Sequence, residues 1–143
     1  MNTLSITRRR FVQISALLAA ALTACGKTAP HAALPAGSTI LALGDSLTAG
    51  YGADAEAAYP AVLASLTGWQ IINGGVSGNT STPALARLPA QMRRQPQLVL
   101  ARIGGTDFLR KVPEADTPSN IRQLVQQIKP AGVPAVLVAV PYF

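Results

Sequence analysis

Three short loops carry the residues able to do chemistry. The first is Gly44-Asp45-Ser46, a small nucleophile beside an acid, directly after the apolar run Ile40-Leu41-Ala42-Leu43. The second is Gly74-Gly75-Val76-Ser77-Gly78-Asn79-Thr80, and the third is Gly104-Gly105-Thr106-Asp107. A serine that attacks a carbonyl generates an oxyanion and needs hydrogen-bond donors fixed in advance. Glycines let backbone amides approach a ligand closely, and free amides at a helix start hold an anion. Ser46 is therefore either a nucleophile held at a strand end or a plain turn residue, and what converges on it decides which. Asp45 and Asp107 sit in glycine-rich turns, where a carboxylate serves more readily as a loop-shaping acceptor of backbone bonds than as a general acid or base. Asn79 reads in the same way, as a turn or cap residue leading into Thr80. No metal-ligand cluster or nucleotide-binding fingerprint accompanies these loops, so neither a metal nor another cofactor is expected.

Loops converge only if the elements before them run alike. Thr39 to Leu43, Trp69 to Asn73, Gln97 to Ile103 and Ala135 to Val140 are short runs rich in Ile, Leu and Val. Such runs fit strands of a parallel sheet buried on both faces. Between them Tyr59, Val62, Leu63 and Leu66 recur at helical spacing, with Pro60 in the first turn. Ile121, Leu124, Val125 and Ile128 repeat the spacing after Thr117-Pro118, a cap and first-turn pair. Leu85, Leu88 and Met92 share a third face, which Pro89 is expected to bend or interrupt. The alternation β-α-β-α-β-α-β predicts an open three-layer α/β sheet. In a parallel sheet the loops that follow strands gather at one edge, where such folds bind ligands. All three polar loops follow strands.

"GDSLTAGYG", "GGVSGNTS" and "GGTDFLR", in this order, resemble the first three sequence blocks of the GDSL or SGNH hydrolases. The likeness is greatest to the bacterial arylesterase, thioesterase and lysophospholipase group and covers about Thr39 to Val140. It implies a flavodoxin-like α/β/α fold and a serine esterase acting through an acyl-serine intermediate. It also implies that Ser46 is the nucleophile, with its own amide as one oxyanion donor and the amide of Gly78 as the second. Thr106 stands where the family places an asparagine whose side-chain amide is the third donor. Carboxylic esters, thioesters and lysophospholipids all present the same carbonyl, so the substrate stays open among them.

The family ends with a block holding an aspartate and the histidine that takes the serine proton, and the quoted sequence reaches Phe143 without it. The last strand and helix of the fold are missing with it. The only histidine, His31, precedes the first strand and so enters at the sheet edge opposite Ser46. The expectation is a fragment or prematurely ended copy of an esterase, with poor or no activity as an isolated chain. The other reading is a non-catalytic lipoprotein that keeps an ester-binding cleft.

The N-terminal part has a different character. Arg8-Arg9-Arg10-Phe11 precedes an uncharged apolar run to Ala24, an export-signal pattern too short to span a bilayer comfortably. Its arginines resemble a twin-arginine signal. Leu22-Thr23-Ala24-Cys25 resembles a bacterial lipobox, so Cys25 is the expected lipidation site and the membrane the expected partner. A periplasm-facing protein, anchored to the outer rather than the inner membrane, is expected. Residues 1–24 then form the signal, 25–38 a lipid-anchored tether and 39–143 the hydrolase-like domain. At 49% hydrophobic and 13% charged, the chain belongs with globular proteins rather than disordered ones. The net charge of +6 suggests nucleic acid, but three of the twelve basic residues lie in the signal. From Cys25 on, nine basic residues face six acidic ones, and they are scattered. That is no nucleic-acid footprint.

Overall fold

A computed structural model describes residues 33–139 of the chain. The expected signal, Cys25, His31 and most of the expected tether lie outside the described residues, as do residues 140–143. The elements in order are β1 (Thr39–Gly44), α1 (Ser46–Ala49), α2 (Tyr59–Thr67), β2 (Gln70–Gly75) and α3 (Ser81–Met92). They continue with β3 (Leu98–Arg102), α4 (Gly105–Leu109), α5 (Asp116–Ile128), a 3-10 turn (Lys129–Ala131) and β4 (Ala135–Leu137). The strands form one sheet in the order β2-β1-β3-β4, and every pair is parallel.

The register explains the unbroken apolar run of β1. Leu41 lies opposite Ile72 on one side and Val99 on the other, so β1 is flanked by strands on both edges. Ile40 to Leu43 are wholly buried. Alternate residues serve opposite faces. Leu41, Leu43, Ile72, Val99 and Ala101 share one core with Leu88 of α3 and with Leu124 and Ile128 of α5. Truncating Leu88, Leu124 or Ile128 to alanine there costs about 2 to 5 kcal/mol. Ile40 and Ala42 serve the other face, where α2 runs beside β2. This is the three-layer α/β arrangement expected from the alternation.

Local details depart from the sequence reading. Only half of the apolar stripe of α2 is covered: Tyr59 and Leu63 are partly buried, whereas Leu66 is 79% exposed and Val62 41%. Pro60 is the buried residue of the helix, and with Ala61 and Ala64 it borders a cavity of about 460 Å³ beside Ile71 and Asn73 of β2. Pro89 does not interrupt α3. It lies in the last turn on the exposed side, where the bond it cannot make opens onto water. Nor does Thr117 cap α5, because the helix already begins at Asp116 and the Thr117 hydroxyl donates to Asp107 at 3.0 Å. The compact unit also begins before Thr39. The Leu34 carbonyl accepts from Trp69 Nε1 at 3.2 Å, and the Gly37 amide donates to Gly68 at 2.8 Å. Leu34 to Ser38 thus pack with the domain rather than the tether.

Candidate active site

The three polar loops leave the C-terminal ends of β1, β2 and β3 and meet at one sheet edge. Ser46 is the first residue of α1, so its amide has no acceptor within the helix. Asp45 is the cap: its Oδ1 accepts from the Leu47 amide at 3.1 Å. The short helix needs room that only a glycine leaves. A Cβ on Gly75 would stand 2.1 Å from the amide nitrogen of Ala49, so α1 lies directly on the end of β2.

Asp45 joins the first loop to the third. It is 3% exposed, and its Oδ1 also meets Arg102 Nη1 at 3.4 Å. Its Oδ2 accepts the hydroxyl of Thr106 at 3.5 Å. The carboxylate is thus engaged by the α1 backbone, by the strand-end arginine and by Thr106, as a loop-shaping group would be. Behind it, the Tyr59 hydroxyl and Thr48 Oγ1 share a hydrogen bond of 3.2 Å. Burial pushes the Tyr59 phenol above its ordinary value.

Gly78 occupies a turn closed by the Asn79 amide donating to Val76 at 3.1 Å. Its φ of +76° is the value a type II turn requires at its third residue, which favours glycine there. The Arg110 guanidinium lies against it, with Nη2 2.9 Å from where a Cβ would stand. The Asn79 side chain caps no helix; its Oδ1 accepts from Arg87 Nε at 3.0 Å. Burial lowers the pKa of Arg87 from its ordinary value.

Asp107 is buried, with its bonds directed at α3 and α5. Both its oxygens accept from the Ser81 amide, at 3.1 and 2.8 Å, and Oδ1 also accepts from Ser81 Oγ and Thr117 Oγ1. Asn120 Nδ2 completes the cluster by donating to Ser81 Oγ and Thr82 Oγ1 at 2.9 Å each. Asp107 is therefore a cap for α3 supplied by another loop.

Ser46 and Thr106 border a cleft of about 850 Å³ between the first and third loops. Leu47, Phe108, Leu109, Leu137 and Val138 give it apolar walls. All five are exposed by 41% or more, so apolar surface faces solvent beside the serine. Sequence reasoning missed Arg87, Arg102, Ser81 and Asn120, and gave Thr117 a different role. Arg102 had a legible signal, a charge closing a buried strand just before a glycine-rich loop. For Arg87 the signal was a cation next to the buried Ala84 and Leu88 positions of a helix; Ser81 and Asn120 gave none.

The parallel α/β sheet with a serine at its first loop fits the serine-hydrolase class, and comparison with known proteins supplies the family. Residues 42–143 match the family described as GDSL-like lipase/acylhydrolase, and the chain belongs to that family. It is 42% identical over 110 residues to thioesterase 1/protease 1/lysophospholipase L1 of Escherichia coli strain K12, covering 73% of this chain and 52% of that one. It is 38% identical over 115 residues to an arylesterase of Vibrio mimicus, covering 76% and 58%. Among solved structures it resembles AlinE4, an SGNH-hydrolase family esterase, with a TM-score of 0.69 at 33% identity, covering 76% of this chain and 63% of that one. The chain spans about half the length of the curated relatives it matches.

Proposed function

We propose that this chain is the nucleophile-bearing part of a serine hydrolase that cleaves carboxylic esters or thioesters. The observation that carries the reading is Ser46 at the start of α1, on the border of an apolar cleft, with the neighbouring carboxylate tied down by Leu47, Arg102 and Thr106. Ser46 Oγ attacks the carbonyl carbon while its proton passes to a base. The amides of Ser46 and Gly78 bind the oxyanion, with the Thr106 hydroxyl as a weaker third donor. Collapse expels the alcohol or thiol, and water then cleaves the acyl-serine. No histidine lies among the described residues, so the base comes from outside them.

The apolar walls favour an ester whose acyl or aryl part is hydrocarbon. An arylester, a thioester and a lysophospholipid all fit that description, in keeping with the names of the relatives. We also propose that Cys25 carries a lipid that tethers the domain to the periplasmic side of the outer membrane, on the strength of the lipobox-like Leu22-Thr23-Ala24-Cys25. Undiminished fatty-acid labelling of Cys25→Ala in a bacterial host ends that part of the reading. For the chemistry, the chain joined to a family-like C-terminal aspartate–histidine segment, which supplies the base, is treated with a serine-reactive phosphonate and an activated aryl ester beside Ser46→Ala. Adduct on Ser46 that is absent from the variant supports the proposal. A chain that takes no phosphonate, or takes it equally without Ser46, refutes it.

A further inference from the structure

The carbonyls at the open end of a parallel ladder have no further strand to accept from. The last β1–β2 pair is Gly44 opposite Gly75, and beyond it the chains part into the loops that hold Ser46 and Gly78. A single side chain from α3 fills the gap. Arg87 donates from Nη2 to the Gly44 carbonyl at 2.7 Å, from Nη1 to the Gly74 carbonyl, and from Nε to Asn79 Oδ1 at 3.0 Å. The end of β1, the end of β2 and the Asn79 end of the turn meet on one planar fork.

We propose that Arg87 is the positioning residue that holds the Gly78 turn in register with Ser46; this rests on the reading of Gly78 as an oxyanion donor. The turn is tied at both ends to the same hub. The Val76 amide donates to the Gly44 carbonyl at 3.2 Å, the oxygen that also accepts Arg87, and Asn79 is held by Arg87 itself. Ser77 and Gly78 are the two residues between those ties. Gly44 precedes Ser46 by two residues, so the hub sets the donor turn directly against the strand that delivers the nucleophile. Its root is also fixed: α3 is a regular helix pinned at Ser81 by Asp107.

The acceptors are all neutral. Among the described residues the only ion pair is Arg102 with Asp45, so geometry rather than charge pairing sets the Arg87 side chain. A lysine keeps the charge but offers a point donor that cannot reach three acceptors in one plane.

The test is ¹⁵N relaxation of the full chain and of Arg87→Gln, Arg87→Lys and Asn79→Ala, with phosphonylation kinetics of Ser46 alongside. Order parameters at Ser77 and Gly78 are expected to fall from about 0.85 to about 0.6 or lower in both Arg87 variants, while Leu41 to Leu43 stay rigid. Asn79→Ala removes one tie only and is expected to loosen the same two residues less. Phosphonylation of Arg87→Gln should slow about tenfold at saturating reagent, with the half-saturation concentration little changed. Rigid Ser77 and Gly78 in every variant, or loosening only together with β1, overturn the proposal. Should the Arg87 variants not fold, Asn79→Ala decides alone. A parent chain that takes no phosphonate even with an added aspartate–histidine segment refutes the hydrolase reading, and loosening of the Gly78 turn in the variants then supports only the hold of Arg87 on that turn.

Discussion

Removing the Asp107 carboxylate tests whether this acid builds the site or acts in its chemistry. The group is 2% exposed and receives the Ser81 amide, the Ser81 hydroxyl and the Thr117 hydroxyl. Thr80, at the capping position of α3, makes no side-chain cap bond, so Asp107 supplies what the local sequence does not. Hydrogen bonds to a charged group contribute about 1.5 to 3 kcal/mol each, and an orphaned buried donor costs about 1 to 3 kcal/mol. The three donors are coupled and their contributions do not add. Asp107→Ala should therefore lose about 3 to 4 kcal/mol, since Ser81 and Asn120 retain some bonding between themselves. For a domain of this size that lowers Tm by about 15 °C or more. Asp107→Asn, which keeps one carbonyl oxygen but turns an amide group toward donors, should lose roughly half as much. Thermal and urea unfolding followed by circular dichroism measure both, and Ser81→Ala combined with Asp107→Ala should cost less than the two changes summed. A melting temperature for Asp107→Ala within about 2 °C of the parent would refute the capping argument, since it corresponds to well under 1 kcal/mol.

Three further outcomes are expected. Thr106→Asn should speed phosphonylation of Ser46 by about tenfold or more, given that one oxyanion donor is worth about 2.7 to 4 kcal/mol; unchanged kinetics would mean the threonine already serves. Gly75→Ala should displace α1 from β2 and strongly destabilise the fold, because its Cβ would meet the Ala49 amide nitrogen at 2.1 Å; a variant as stable as the parent would contradict that packing. Tyr59 has a folded pKa raised above the ordinary 10.0, so its contribution to stability is complete below pH 10 and is lost as the pH rises through the folded value. The stability gap between parent and Tyr59→Phe should therefore be flat at neutral pH and narrow in urea titrations above pH 10.

The parts of this molecule that could be read in the sequence are those in which one residue type serves one physical need. Ile40 to Leu43 had to be a covered strand, because an unbroken apolar run is tolerable only with both faces and both edges protected. Glycines after each strand marked the edge where loops could approach a ligand, and Ser46 and Thr106 do border one cleft. What could not be read depends on contacts distant in the chain. Asp107 caps a helix 26 residues earlier, and Arg87 reaches a carbonyl 43 residues away. Neither separation leaves a period in the sequence. Thr117 shows the same thing at short range, since its place before Pro118 fits a cap, yet the nearer acceptor is Asp107. The stripe of α2 misleads in part for another reason: helical spacing shows which residues share a side, not how much of that side is covered, and Val62 and Leu66 stay exposed while Tyr59 and Leu63 do not.

The threonine at position 106 raises a question of supply as well as reach. Its hydroxyl has one proton, and in this structure that proton is directed at Asp45 Oδ2. To stabilise an oxyanion the hydroxyl must leave the carboxylate, whereas an asparagine amide has two N–H groups and can serve both acceptors at once. At 3.5 Å the Thr106–Asp45 bond is at the outer limit of hydrogen bonding, so giving it up costs little. Asp45 would keep the Leu47 amide and Arg102, so the nucleophile's helix would stay capped. The obstacle is then geometric: the β-branched side chain has few χ1 states and a shorter reach, and α4 fixes its backbone. Under the proposed mechanism such a site would depend most on the two backbone donors, and of these the amide of Gly78 belongs to the turn that Arg87 is proposed to hold.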